Sequence, residues 1–188
     1  LPPESRWDKI LAGNTNSRTA QRIAQVRSLR ALGAEVLVVH ADVADEAALG
    51  LALSEVRRTF GPLNGVIHAA GIMDDAPMLT KDATSMQRVL APKVAGTLAL
   101  DARVNEPLDV FILFSSVASA LGLPGQVDYT AANAFQDTFA RLRAATKPGR
   151  TLVINWNAWR DVGMAAGAYR EQTQGITVAH PSQHPAFD

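Results

Sequence analysis

Four side chains in the middle of the sequence have the types and spacing to act on an oxygen atom: Ser116, Tyr129, Asn133 and Lys93. Ser116 closes an apolar run, in Phe114-Ser115-Ser116-Val117-Ala118-Ser119. Tyr129 follows thirteen residues later, within Pro124-Gly125-Gln126-Val127-Asp128-Tyr129-Thr130-Ala131-Ala132-Asn133. Asn133 stands one helical turn beyond Tyr129, so the two share a face. A free phenol titrates at about 10. An ammonium beside it favours the phenolate and draws that value toward working pH, the condition for a general acid. A hydroxyl nearby can hydrogen-bond an oxygen on which charge grows. Taken singly, a Ser after a strand is commonly a turn residue, and a Tyr and Asn one turn apart commonly form a surface pair. Their joint placement around a strand, a loop and a helix is what points to a site.

The elements that would position these groups follow from apolar patterning. Four short runs rich in β-branched residues read as strands: Val36 to Val39, Gly65 to His68, Val110 to Phe114 and Leu152 to Trp156. Their hydrophobicity is continuous rather than alternating, which predicts burial on both faces of a parallel sheet. Between them lie helical patterns. Ile23, Val26, Leu29 and Leu32 recur at helical spacing before Gly33, a C-terminal stop. Asp45 can cap a helix carrying Leu49, Leu53, Val56 and Phe60, which ends at Gly61. A third helix is predicted from about Thr84 to Ala102, with Met86, Val89, Leu90, Val94 and Leu98 inward and a kink at Pro92. A fourth runs from about Asp128 to Ala145, with Ala132, Phe135, Phe139 and Leu142 inward. Alternating helices and strands predict an α/β fold, a doubly wound parallel sheet of Rossmann-like kind. Such sheets bind ligands at the carboxyl ends of their strands.

Composition narrows the function classes. The 188 residues suffice for one domain with its own core, and 47 % of them are hydrophobic against 19 % charged. Lys plus Arg and Asp plus Glu both number 18, so no basic nucleic-acid-binding surface is expected. There is no cysteine, hence no disulfide framework and no thiolate chemistry, which fits a reducing, cytoplasmic setting. No apolar run approaches the length that spans a bilayer, so no membrane role is expected. The four histidines, His40, His68, His180 and His184, do not form a metal set: the first two end strands and the others lie in a Pro-containing tail.

The pattern as a whole resembles the short-chain dehydrogenase/reductase family, and within it the ketoreductase domains of modular polyketide synthases. His68-Ala69-Ala70-Gly71 resembles the strand-end turn beside the nicotinamide ribose. Ala91-Pro92-Lys93-Val94-Ala95-Gly96 resembles the segment that supplies the ketoreductase lysine. Ser115-Ser116 and Tyr129 to Asn133 resemble the serine and tyrosine motifs. Ile154 to Trp159 and Val162-Gly163-Met164 resemble the segment that closes over the cofactor. Most family members carry Lys four residues after the tyrosine; here Asn133 stands there and the lysine comes earlier, as in polyketide ketoreductases. The likeness covers about Val26 to Met164.

That resemblance implies NADPH-dependent reduction of a β-ketoacyl thioester, held on the phosphopantetheine arm of an acyl carrier protein, among neighbouring synthase domains. Tyr129 would donate the proton, Lys93 would favour its phenolate, Ser116 would hydrogen-bond the ketone oxygen, and Asn133 would hold a water that reloads the proton. Asp42 would accept from the adenine amino group and Val43 would pack on the ring, although an Asp after a strand also caps loops without any ligand. Ala69, Ala70, Gly71, Asn157 and Met164 would line the cofactor. Met73-Asp74-Asp75 resembles the Leu-Asp-Asp signature of B-type ketoreductases, which implies a D-hydroxyl product; a pair of solvated loop carboxylates is the plain alternative. Pro124, five before Tyr129, fits the same type, Leu121 stands where the A-type has Trp, and Gln126 is expected with them at the substrate.

One part of the family pattern is absent. A dinucleotide site needs a glycine-rich strand-to-helix turn whose N–H groups meet the pyrophosphate, and none occurs in this sequence. The first βαβ unit is therefore expected to be missing. The chain is expected to be a piece of something longer: a connector over 1–15, a catalytic core over 16–164 and a lid or linker over 165–188. The preference for NADPH over NADH rests on the resemblance alone. Two other readings stay open: a non-catalytic docking domain of a synthase, and a stand-alone reductase acting on a free ketone.

Overall fold

The computed structural model describes residues 1–13, 17–159 and 163–164. Helix α1 is Trp7–Ala12, after a 3-10 turn at Glu4–Arg6, and α2 is Arg18–Ala31. Trp7, Ile23 and Val26 from these two helices form a small cluster of their own, so the opening segment expected as a connector carries packed structure. Then follow α3 (Glu46–Phe60), β1 (Gly65–His68), α4 (Ala83–Lys93), α5 (Ala95–Arg103), β2 (Val110–Ser116), α6 (Ala118–Leu121), α7 (Val127–Thr146) and β3 (Arg150–Trp156). The strands run parallel in the order β1-β2-β3, each beside its neighbour in sequence. This is the α/β architecture with a parallel sheet that the patterning predicts.

Helix ends fall where side-chain acceptors meet free N–H groups. Ser17 caps α2, Asp45 receives the Ala47 and Ala48 amides at 3.0 Å each, and Asp82 receives Ser85 N at 2.7 Å. Gly33 and Gly61 follow α2 and α3 as expected, donating to Arg30 O and Arg57 O. The expected single helix over 84–102 is instead two abutting helices, α4 and α5, which meet at Val94. The cause is chemical. Pro92 has no N–H to give the ladder. Its carbonyl is met by His68 Nε2 at 3.0 Å, and the Lys93 carbonyl by the Thr97 hydroxyl at 2.5 Å.

The register sorts the sheet into two faces. Val66, Phe111 and Thr151 lie abreast, as do His68, Leu113 and Val153. This face packs under Leu49 and Leu53 of α3, Ala99 and Leu100 of α5, and Phe139 and Ala140 of α7. Phe111 and Leu113 are fully buried there. The opposite face carries Ile67, Ile112, Leu152, Phe114 and Ile154. Ile67 is 63 % exposed and Leu152 37 %. Burial on both faces was expected; among the described residues only one face is covered.

Two further expectations are corrected. Val36–Val39 is not a strand: no strand runs beside it among the described residues, Val36 packs on the α1–α2 cluster, and its carbonyl accepts from the Arg30 guanidinium at 3.1 Å. Leu98 and Leu142, expected inward, are 49 % and 61 % exposed. Their helices cover the sheet along narrower stripes than the apolar pattern suggests. Among the described residues no helix is long and apolar enough to cross a membrane, and no cluster of three His, Cys, Asp or Glu could hold a metal ion. His180, His184 and the expected lid or linker over 165–188 lie outside the described residues.

Candidate active site

The carboxyl ends of β1 and β2 face the N-terminal half of α7 and the end of α4. Side-chain hydrogen bonds tie these pieces together. Ser115, buried on the helix-covered face, reaches the Asn133 carbonyl at 3.3 Å. Lys93 is 3 % exposed, and its ammonium donates to Phe114 O at 2.6 Å and Gln136 Oε1 at 3.1 Å. The carbonyl that Lys93 grips is two residues before Ser116. Ser116 Oγ accepts from Ala118 N at 3.2 Å. Ala118 in turn packs with Val89 and Tyr129, with Met73 against them. Tyr129 and Ser116 are thus linked through Ala118, one by packing and the other by a hydrogen bond. Tyr129 is 8 % exposed. Asn133 is fully buried; its Nδ2 donates to Tyr129 O at 2.7 Å, and its Oδ1 has no partner among the described residues.

Burial lowers the Lys93 ammonium to about 8, with the Asp137 charge acting the other way. Lys93 therefore carries its charge at neutral pH and loses it within the accessible alkaline range. His68, at the end of β1, is pushed down to about 4, first by burial and then by the Lys93 charge, against the bond to Pro92 O. It is neutral at working pH, with Nε2–H as donor, because a carbonyl can only accept.

The His68 shift has a stability consequence with a definite sign. Between its folded value of about 4 and the unfolded value of 6.5, the unfolded chain binds the proton and the folded chain does not. Its contribution is therefore fully present above pH 6.5 and is lost as pH falls toward 4. The expected loss is on the order of 3 kcal/mol. Urea unfolding at pH 7 and at acid pH measures it. His68→Gln, which keeps a donor for Pro92, should flatten that dependence; an unchanged acid loss would remove His68 as its cause.

The loop over 73–76 is fastened to the same centre. Met73 packs against the Tyr129 group. The Asp74 carboxylate pairs with Arg88 at 2.6 Å, and the Asp75 carboxylate accepts from Gln126 Nε2 at 2.7 Å. Ala76 N donates to Gly125 O at 3.0 Å. Lys81, fully buried, donates to Asp74 O and to Asp128 Oδ2, while Asp128 Oδ1 accepts Tyr129 N at 2.9 Å. Pro124 borders a cavity of about 440 Å³ with Met78, Leu123, Gly125, Val127 and Thr130. The structure thus gathers Met73, Asp75 and Gln126 around the start of the tyrosine helix.

The residues expected at a cofactor are less closely grouped. At Gly71 an added methyl would come within 3.2 Å of Lys93 Cε and 3.6 Å of Met164 Cε, so this strand-end turn must be bare for the lysine to pass. Asp42 borders a cavity of about 630 Å³ lined also by Ile72, Thr84, Gln87, Arg88 and Ala91. Its Oδ1 accepts Ala44 N at 2.9 Å, a loop-capping bond. Val43 packs on Gly96, where a methyl would meet its Cγ1 at 2.7 Å. Ala69 is exposed and Ala70 half-buried beyond β1. Asn157 is exposed and its Oδ1 accepts Ala158 N at 2.8 Å. Val162 lies outside the described residues. The bare turn at Gly71, beside Lys93 and Met164, fits the reacting end of a nicotinamide cofactor. No glycine-rich turn in this chain fits its pyrophosphate.

Three participants escaped the sequence reading: Gln136, Lys81 and Asp128. Gln136 had a usable signal, since it lies seven residues after Tyr129 on the face that bears Asn133, among apolar positions. The Lys81–Asp128 pair spans 47 residues and leaves no local trace.

These side chains meet at the carboxyl edge of a Rossmann-like parallel sheet. A family model described as KR domain matches residues 8–161, and the chain belongs to that ketoreductase family. Polyketide synthase PksM of Bacillus subtilis (strain 168) is 43 % identical over 144 residues, 76 % of this chain and 3 % of that protein. The 6-methylsalicylic acid synthase of Aspergillus terreus (strain NIH 2624 / FGSC A1156) is 40 % identical over 169 residues, 88 % of this chain and 9 % of that protein. The crystal structure of a ketoreductase domain from the bacillaene assembly line superposes with a TM-score of 0.74 at 41 % identity, covering 83 % of this chain and 38 % of that one. A short-chain dehydrogenase from Mycobacterium avium superposes with a TM-score of 0.61 at 26 % identity, covering 68 % of this chain and 47 % of that one. The chain spans only a small part of the synthases it matches and well under half of the bacillaene ketoreductase chain.

Proposed function

We propose that this chain is the catalytic part of an NADPH-dependent ketoreductase that reduces a carrier-protein-bound β-ketoacyl thioester to the D-β-hydroxyacyl thioester during polyketide assembly. The observation that carries the reading is the buried Lys93 ammonium held on the β2 carbonyl two residues before Ser116, beside the helix of Tyr129 and Asn133. A scaffold has no chemical need to bury an ammonium there, since burial of an unpaired charge is costly. The catalytic core is read as 16–164, with 165–188 as lid or linker.

The cofactor, when bound, supplies hydride to the ketone carbon. Gly71 and Met164 would lie near its nicotinamide end, Ala69, Ala70 and Asn157 around it, and Asp42 and Val43 toward the adenine. The chain's own residues manage the oxygen. Ser116 Oγ already accepts from Ala118 N, so its hydroxyl hydrogen is free to point at the ketone oxygen. The Tyr129 hydroxyl gives its proton to that oxygen as the C–O bond becomes single. Two of the three Lys93 N–H donors are used by Phe114 O and Gln136; the third and the positive charge favour the phenolate left behind. Asn133 Oδ1, buried without a protein partner among the described residues, can hold a water that returns a proton to Tyr129. Met73, Asp74, Asp75, Pro124 and Gln126 shape the approach of the acyl chain.

The reading is tested in the whole natural polypeptide that carries this chain. A β-ketoacyl thioester on an acyl carrier protein should drive NADPH oxidation, and a free ketone should do so poorly. Chiral analysis of the product should give mainly the D-hydroxyacyl form. A mainly L product would overturn the assignment of the 73–75 loop, and no oxidation with any thioester would overturn the enzyme.

A further inference from the structure

Gln136 is a fully buried amide in the middle of α7, on the stripe that carries Tyr129 and Asn133. An amide buried without partners costs free energy, so its bonds indicate why it is tolerated. Its Oε1 is 3.1 Å from Lys93 Nζ and its Nε2 3.2 Å from Thr97 Oγ1. The orientation is forced. An ammonium only donates, so the oxygen must face Lys93. The Thr97 hydroxyl spends its hydrogen on the Lys93 carbonyl at 2.5 Å, so it accepts from the amide nitrogen. The three residues close a ring in which Thr97 grips the lysine's backbone, Gln136 grips its ammonium, and each braces the other. Thr97 is also fully buried.

We propose that Gln136, braced by Thr97, is a positioning residue that fixes the Lys93 ammonium against the end of β2 for the reduction. The proposal rests on the reading of Lys93 as part of the reductase machinery. Other groups around the ammonium are the Phe114 carbonyl of β2, the Asp137 carboxylate of α7 and the neutral His68 of β1. None of these replaces Gln136: Phe114 O offers one contact, Asp137 acts as a charge at a distance, and His68 is engaged with Pro92.

Two variants separate this role from plain packing. Gln136→Met keeps the volume and removes the acceptor. Gln136→Glu keeps an acceptor and adds negative charge. With lysine side chains labelled with ¹⁵N in the chain itself, the Lys93 signal is the one lost in Lys93→Met, and its titration midpoint is read by NMR. The midpoint should fall by on the order of one pH unit in Gln136→Met and rise in Gln136→Glu, both in protein shown to be folded by its circular dichroism. In the whole natural polypeptide, the alkaline limb of kcat should move in the same two directions. In Gln136→Met, kcat should fall about fivefold near pH 8 while KM for the thioester stays put. Midpoints that stay at the wild-type value, or that move in one direction in both variants, overturn the proposal. So does a loss in KM alone. Full turnover by Lys93→Met would sink the role of the lysine itself, a result distinct from the other two.

Discussion

Replacing Tyr129 by phenylalanine is expected to slow ketone reduction by on the order of 10²- to 10⁴-fold. The ring is 8 % exposed and packs with Val89, Ala118 and Met73, so phenylalanine fills the same space. What disappears is one hydroxyl, the group that in the proposed function gives its proton to the ketone oxygen. Binding should barely change, because the ring's contacts are apolar and survive. The loss should therefore fall on kcat, with the affinity for NADPH nearly intact. Single-turnover NADPH oxidation in the natural polypeptide, paired with a fluorescence titration of cofactor binding, measures both. A variant with wild-type turnover would show that some other group delivers the proton.

The second large effect concerns folding. Gly149 joins α7 to β3 with φ of 82°, and a methyl placed on it would lie 1.9 Å from the Leu108 carbonyl oxygen. That oxygen belongs to the backbone leading into β2, so no rotamer change can relieve the contact. The two chain segments are locked beside this point, where Arg150 N donates to Asp109 O at 3.0 Å, and Asp109 N in turn donates to Asn64 O, just before β1, at 2.7 Å. Gly149→Ala must push β3 away from the start of β2 and accept an unfavourable φ as well. The expected cost is about 3–5 kcal/mol. Gly33→Ala is the matched control. Its φ is 90°, yet an added methyl meets nothing within 4 Å, so only the backbone penalty of about 1–2 kcal/mol applies. Urea unfolding compares the two. Equal losses would mean that the close approach of Gly149 to Leu108 contributes nothing.

How much of this was legible in sequence depended on how local the cause was. Asp45 before α3, Gly61 after it and the apolar run of β2 are decided within a few residues, and each was read correctly. Pro92 announced a disturbance, but its size depended on His68 and Thr97 taking the Pro92 and Lys93 carbonyls, and no spacing rule connects those residues. Val36–Val39 has strand composition, yet a strand exists only beside a partner, and none adjoins it among the described residues. The serine and tyrosine motifs stood out because chemistry fixes their types and a strand, a loop and a helix fix their spacing. The ring of Lys93, Gln136 and Thr97 did not, because a buried glutamine reads like any polar break in an apolar stripe until its neighbours are known.

Lys81 ties the carbonyl of Asp74 to a carboxylate whose other oxygen holds the amide of Tyr129. In the proposed function, handedness and speed would then depend on one mechanical unit. If the loop over 73–76 decides which side of the ketone is presented, it cannot swing to admit the opposite side without pulling on the proton donor's own backbone. An error in stereochemistry would be a slow event in such an arrangement, and fidelity would come from the stiffness of a single buried ion pair.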